Sequence, residues 1–311
     1  MAPLNPPLHP FLAAAVTEPV SGGATASGAR PGAYPIVYAH RGGAEEQPEN
    51  SVAAFAHAVA LGFVYLETDA RLTADGVLVA LHDDHLDRVS DRRGAVSEMT
   101  LAEVQQARLR HPDGSLSEER VPVLEELLVR WPGVRWNLDA KDVRTVGPLG
   151  DLLERLDLLE RSCVGAFSDQ RLDQFRRRFG PALCSVAGPR DVMRLRLQSL
   201  RIPCGPAQGQ VAQVPRRHPL PLDRLPIVGG FIGAARRGPA RALARLSVPV
   251  VDRAFIAAAH RRAMAVHVWT VNDPAEMAEL LDLGVDGFMT DCPTAAAALM
   301  RARGQWPTRT D

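Results

Sequence analysis

The chain has 311 residues, 46% of them apolar, and its 36 basic and 36 acidic side chains cancel. A chain of that size can bury a large core, and the absence of a net field argues against nucleic acid or an anionic membrane surface as default partners. No run approaches the roughly 18 apolar residues that span a bilayer, so no integral membrane segment is expected.

Residues 1–33 are rich in Pro, Ala, Gly and Ser and poor in large apolar side chains, and they read as a flexible or loosely packed arm. From Ile36 onward, short β-branched or aliphatic runs alternate with longer amphipathic segments. Strands are predicted over 36–40, 64–69, 135–139, 163–167, 182–186, 210–214, 265–270 and 286–290. Helical patterns lie between them over 51–61, 151–159, 170–179, 190–197, 251–262 and 274–283. Eight such alternations favour an α/β fold of the (β/α)8 TIM-barrel type, one domain over 34–303 with a tail over 304–311. An Asp75-Gly76 turn after the second strand leads into an extra strand over 77–81, and residues 84–120 form a small loop and helix insertion. A Pro-, Gly- and Arg-rich connection is expected over 215–247.

Cys163, Cys184, Cys204 and Cys292 have no C-x-x-C spacing and read as small apolar core residues of a chain kept in a reducing, cytoplasmic compartment. His267 falls mid-strand and reads as a packed core histidine, while Arg176-Arg177-Arg178 and Arg236-Arg237 read as solvated faces.

Reactive side chains of such barrels project from the C-terminal ends of the strands. Here the first strand ends in His40-Arg41-Gly42, the second in Glu67-Thr68-Asp69, the hairpin strand in His82-Asp83 and the third in Asp139-Ala140-Lys141. The period of two puts Glu67 and Asp69 on one strand face, and likewise Asp139 and Lys141. A lone strand-end histidine is often only a satisfied surface group, but that reading would have to hold at four strand ends facing one mouth. Hard oxygens from Glu67, Asp69 and Asp139 suit Mg²⁺ or Ca²⁺, with Mn²⁺ a further candidate. Arg41 and Lys141 supply positive charge for a phosphate, and His40 and His82 exchange protons near neutral pH. Lys141 stands out because the other 35 basic residues are all Arg.

This ordered series resembles the glycerophosphodiester phosphodiesterase family. The likeness rests on His40-Arg41-Gly42, Glu49-Asn50, Glu67-Thr68-Asp69, Asp75-Gly76 and His82-Asp83, then on 268–272 (VWTVN) and 284–293 (GVDGFMTDCP). The resemblance implies metal-dependent hydrolysis of a small glycerophosphodiester to an alcohol and glycerol 3-phosphate. It implies one divalent cation on Glu67, Asp69 and the third-strand acid, His40 and His82 as acid and base, and Arg41 and Lys141 on the phosphate. The implied route is attack of the adjacent hydroxyl on phosphorus and hydrolysis of a cyclic intermediate, with His82 as the acid for the leaving alcohol. Two residues depart from the family pattern: Asp139 stands where Glu is usual, and Ser51 where Thr is usual. Glu49 and Asn50 are expected to support His40 or the metal, with helix capping by Asn50 the simpler alternative. Trp269 is a candidate for lining the substrate pocket, and Asn272 for holding a loop or contacting the metal site. Two other classes remain in view: a phospholipase D acting on a lysophospholipid or sphingolipid, and a non-catalytic phosphate-ester-binding barrel. The polar character of 85–120 argues against a lipid substrate, and the presence of two proton-transfer groups argues against mere binding.

Overall fold

A computed structural model of the chain describes residues 9–13, 35–219 and 247–306. In chain order the strands are β1 (Ile36–His40), β2 (Tyr65–Leu72), β3 (Leu78–Ala80), β4 (Arg108–Arg110), β5 (Leu116–Arg120), β6 (Arg135–Ala140), β7 (Ser162–Gly165), β8 (Cys184–Ser185), β9 (Val211–Pro215), β10 (Arg217–Pro219), β11 (Ser247–Pro249), β12 (Ala265–Trp269) and β13 (Gly287–Thr290). The helices are α1 (Pro10–Ala13), α2 (Val52–Leu61), α3 (Leu101–Val104), α4 (Leu124–Arg130), α5 (Val146–Arg155), α6 (Asp169–Phe179), α7 (Pro189–Ser199), α8 (Arg253–His260), α9 (Pro274–Leu283) and α10 (Pro293–Ala302). The parallel strands run in the order β8-β7-β6-β2-β1-β13-β12-β9, and a parallel bridge between Val186 and Val211 brings the two ends together. These are the eight predicted strands, and the fold is the expected (β/α)8 barrel.

Local chemistry explains most boundaries. Ser51 caps α2 by accepting from the Ala54 amide, and Gly62 ends it with φ of 100°. α5 starts at Val146, five residues before the predicted 151. Gly147 and Pro148 fall in its first turn, where a proline removes only an N–H that has no intrahelical partner anyway. The insertion carries two elements that were not predicted, the antiparallel pair β4–β5, and buries Val79, Leu81, Leu86, Val89, Val96, Val104, Ala107, Leu109 and Val121 as a second small core.

Four expectations need correction. Residues 9–13 of the supposed arm are packed: Phe11 is fully buried at the N-terminal end of the barrel, edge-on to Tyr65 at 5.3 Å, and its carbonyl accepts from the Tyr65 hydroxyl at 2.7 Å. The rest of 1–33 lies outside the described residues. The supposed tail begins against the barrel, with Trp306 edge-on to Phe63 at 4.9 Å. Arg176 is no solvated residue, since it pairs with Asp173 and Asp191 and donates to the Val186 carbonyl; Arg236 and Arg237 lie outside the described residues. Cys163 and Cys184 are core residues as read, whereas Cys204 and Cys292 are only partly buried.

Phe11→Ala should cost roughly 3 kcal/mol, the usual penalty for emptying a buried aromatic site, and should leave turnover intact because the plug is at the opposite end from the strand-end acids. Thermal melting and an activity assay of the same sample check both halves.

The barrel interior is apolar at its lower level, where Tyr38, Tyr65, Cys163, Cys184, Val211, Ala265 and Met289 pack together. His267 is fully buried, as expected, beside the Tyr38 hydroxyl at 3.1 Å, and burial pushes its pKa down to about 4. Higher up, Asn137 and Gln213 join across the barrel at 2.9 Å, so the strand centres are not uniformly apolar. Among the described residues no helix is long and apolar enough to cross a membrane.

Candidate active site

The register of the strands assembles the site. His40 on β1 lies level with Glu67 on β2, and Asp69 on β2 lies level with Asp139 on β6. The backbone turns sharply after β1: Arg41 has φ of 52° and Gly42 of 81°. A side chain at Gly42 would put its Cβ 2.7 Å from that of Ala54, so glycine lets the turn lie against α2. The turn aims the Arg41 amide at Glu67 Oε2, at 3.0 Å. Asn50, also left-handed with φ of 57°, donates to Asp69 Oδ2 at 2.9 Å and accepts from the Thr68 hydroxyl at 2.7 Å. Asn50 therefore fixes Asp69, and the cap belongs to Ser51.

Each predicted histidine has a carboxylate on Nδ1. His40 donates to Asp291 Oδ1 at 2.6 Å and keeps Nε2 3.7 Å from Glu67 Oε2. Asp291 is held in turn by Asn272, which donates to its other oxygen at 3.2 Å and accepts from its amide at 2.9 Å. His82 donates to Asp83 Oδ1 at 2.7 Å, and its carbonyl is gripped by the Arg71 guanidinium at 2.7 and 2.9 Å, which anchors the end of the β3 hairpin. A carboxylate on one ring nitrogen fixes the tautomer and leaves the other free for proton transfer. Lys141 Nζ bridges Asp69 at 2.8 Å and Asp139 at 2.7 Å. Arg41 joins Glu49 at 3.1 Å, with its Nε 3.5 Å from Asp69.

The charges push the two imidazoles apart. Burial would lower the His40 pKa, but Glu67 and Asp291 outweigh it, and the net shift is upward. For His82 burial prevails over the attraction of Asp69, with Lys141 opposing protonation too, and the net shift is downward. Glu67 is driven up to about 7 by burial and by the neighbouring Asp69 charge. Asp69 is held at about 2: burial opposes ionisation, but Lys141 and Arg41 overcome it. A carboxyl whose pKa is higher folded than unfolded binds more protons in the native state, so its contribution to stability is lost as pH rises through the folded value. Chelated protein should therefore lose stability between about pH 5 and 7, the window set by the raised Glu67 value. Glu67→Gln should be the more stable at pH 8 and should match wild type near pH 4.5 in paired thermal melts.

The structure thus brings together His40, Arg41, Glu49, Asn50, Glu67, Asp69, Asp139, Lys141 and, through Asp291, Asn272. Trp269 stands on the rim, edge-on to the exposed Phe167 at 5.7 Å, and lines a depression of about 590 Å³ with Arg216, Arg217, Glu276 and Glu279. Sequence reasoning missed Asp291 as the partner of His40. An acid directly after the last strand, at the same end as the other strand-end groups, was the available signal.

The sequence profile of the glycerophosphoryl diester phosphodiesterase family matches residues 40–295. The chain is 31% identical over 272 residues to a Mycobacterium tuberculosis protein named probable glycerophosphodiester phosphodiesterase 2, covering 87% of this chain and 92% of that one. The chain belongs to the glycerophosphoryl diester phosphodiesterase family. Its fold matches the glycerophosphoryl diester phosphodiesterase domain of another Mycobacterium tuberculosis protein, with a TM-score of 0.69 at 23% identity over 85% of this chain and 98% of that one. A phosphodiesterase from Oleispira antarctica, solved with its product sn-glycerol-3-phosphate, shares the fold with a TM-score of 0.63 at 20% identity over 86% and 97% of the two chains.

The donor set of this family member suits a hard divalent cation. Asp139 Oδ1 is buried without a hydrogen-bond partner, and the ion pairs of Arg41 and Lys141 reach Asp69 and Asp139, while Glu67 faces His40 at 3.7 Å. Among the described residues no three Asp, Glu, His or Cys side chains enclose a cation without movement, and Lys141 stands between two of the acids.

Proposed function

We propose that this phosphodiesterase hydrolyses glycerophosphodiesters to an alcohol and glycerol 3-phosphate, with His40 and His82 as its proton-transfer groups. The observation that carries this reading is the pair of imidazoles, each tied through Nδ1 to its own carboxylate, set around a buried group of acids bridged by Lys141. Family membership supports the substrate class, and the product held by the Oleispira antarctica relative supports the cleavage site.

The opposite pKa shifts favour a neutral His82 and a protonated His40 at the outset, which reverses the assignment made from sequence. In this sequence of steps His82 takes the proton from the substrate hydroxyl beside the phosphodiester as that oxygen bonds to phosphorus. His40 gives its proton to the departing alcohol oxygen, and a cyclic phosphate results. Water then adds to phosphorus with the roles exchanged: His40 takes the proton from water, and His82 returns one to the ring oxygen that leaves. Arg41 and Lys141 offset the phosphate charge, and Asn50 keeps Asp69 in place. Glu67, Asp69 and Asp139 would hold a divalent cation, Mg²⁺, Ca²⁺ or Mn²⁺, which when bound supplies Lewis-acid stabilisation of charge on the non-bridging oxygens.

The test compares glycerol 3-phosphate release from sn-glycero-3-phosphocholine and sn-glycero-3-phosphoethanolamine with choline release from lysophosphatidylcholine. The soluble diesters should turn over faster. Preferential cleavage of the lysolipid would move the chain to the phospholipase D class.

Lys141→Arg should lower kcat/KM by about tenfold, a loss of roughly 1.4 kcal/mol of transition-state stabilisation. A compact ammonium lies 2.7 to 2.8 Å from two carboxylates, and a planar guanidinium there would force them apart. Steady-state kinetics with an unchanged melting temperature checks it.

A further inference from the structure

Arg88 comes from the insertion and has no place in the residue set read from sequence, yet it joins the two polar chains that reach the mouth. Its Nε donates to Asp83 Oδ2 at 2.6 Å, while its two terminal nitrogens donate to Glu49 at 2.7 and 2.8 Å. Asp83 uses its other oxygen on His82 Nδ1, and Glu49 Oε1 also accepts from Arg41. One guanidinium therefore ties the carboxylate that orients His82 to the carboxylate that orients Arg41.

Stability does not explain this arrangement well. The Arg88 side chain is 51% exposed, and ion pairs at such sites contribute at most about 1 kcal/mol. Its geometry is nonetheless well determined. Leu86 and Val89 on either side are buried in the core of the insertion, which fixes the backbone of Arg88, and the fork on Glu49 engages both carboxylate oxygens.

We propose that Arg88 is a positioning residue that sets His82 relative to Arg41 and so makes the insertion a working part of the site. The idea rests on the hydrolase reading of His82 and Arg41. Wild-type turnover decides that reading first, and the Arg88 variants then decide this one.

The experiment uses the full chain loaded with divalent cation, comparing wild type, Arg88→Met and Arg88→Lys on sn-glycero-3-phosphocholine across pH. Arg88→Met should lower kcat about tenfold, in line with loss of orientation of a proton-transfer group that itself contributes about 10² to 10⁴. The acidic limb of the kcat/KM profile should move to higher pH, because Asp83 without its guanidinium partner holds a proton on His82 more strongly. Arg88→Lys, or guanidinium added to Arg88→Met below denaturing concentration, should recover part of the rate. Wild-type kcat and an unmoved limb in Arg88→Met would overturn the proposal. A rate loss that only follows a drop in melting temperature, with no movement of the limb and no recovery, would overturn it too.

Discussion

Replacing His40 or His82 by alanine is expected to lower kcat by at least about 10²-fold, the lower bound for a positioned proton-transfer group, with melting temperature changed little. Neither ring supports the core. His40 ends β1 with its Nδ1 on Asp291, and His82 follows β3 with a third of its side chain exposed. The two variants should differ in how they respond to the leaving group. If His40 protonates the departing alcohol, its loss should be felt less with an aryl alcohol, which leaves without a proton, whereas His82→Ala should stay slow with both. Rates on glycerophosphocholine and on a nitrophenyl ester of glycerol phosphate separate the cases. Equal rescue of both variants would contradict the assignment of His40 as first acid.

Chelation is expected to abolish turnover, and Mg²⁺, Mn²⁺ or Ca²⁺ to restore it, because the available donors are hard carboxylate oxygens. Glu67, whose pKa is raised by burial and the Asp69 charge, and Asp139 Oδ1, buried without a partner, are both carboxyl groups whose charged form a bound cation would stabilise. Because burial and the Asp69 charge push the Glu67 pKa up, cation affinity should weaken as pH falls from 8 toward 6. Calorimetric titration of the chelated protein at pH 6 and pH 8 should give tighter binding at pH 8, with protons released at pH 6. Full activity after exhaustive chelation would mean that the three carboxylates have another purpose.

Much of the site was legible in the sequence because β-strands make it so. A period of two places Glu67 beside Asp69 on one face, and the parallel register of β2 and β6 sets Asp69 level with Asp139, although β2 runs on past these acids to Leu72 to pair with β3. What stayed hidden depends on contacts between distant residues. His40 and Asp291 are 251 positions apart and meet because β1 pairs with β13. Arg88 carries no signal of its own in the sequence, and only the folded insertion sets it on Glu49, 39 residues earlier. Phe11 lies in a segment whose composition argues against folding, and that inference fails locally because Tyr38 and Tyr65 leave room for one aromatic ring at the end of the barrel. The start of α5 lies five residues before the apolar pattern that marks it, because a first turn containing Gly147 and Pro148 carries little of that pattern yet tolerates a proline.

The most direct measurement is glycerol 3-phosphate release from sn-glycero-3-phosphocholine by the cation-loaded full chain, run beside a His40→Ala, His82→Ala double variant of confirmed fold. Wild-type protein should release glycerol 3-phosphate and choline in equal amounts, and the double variant should fall to the uncatalysed background. Glycerol 3-phosphate release at the wild-type rate by the double variant, or none from wild type with any of the three cations, would contradict a histidine-driven glycerophosphodiesterase.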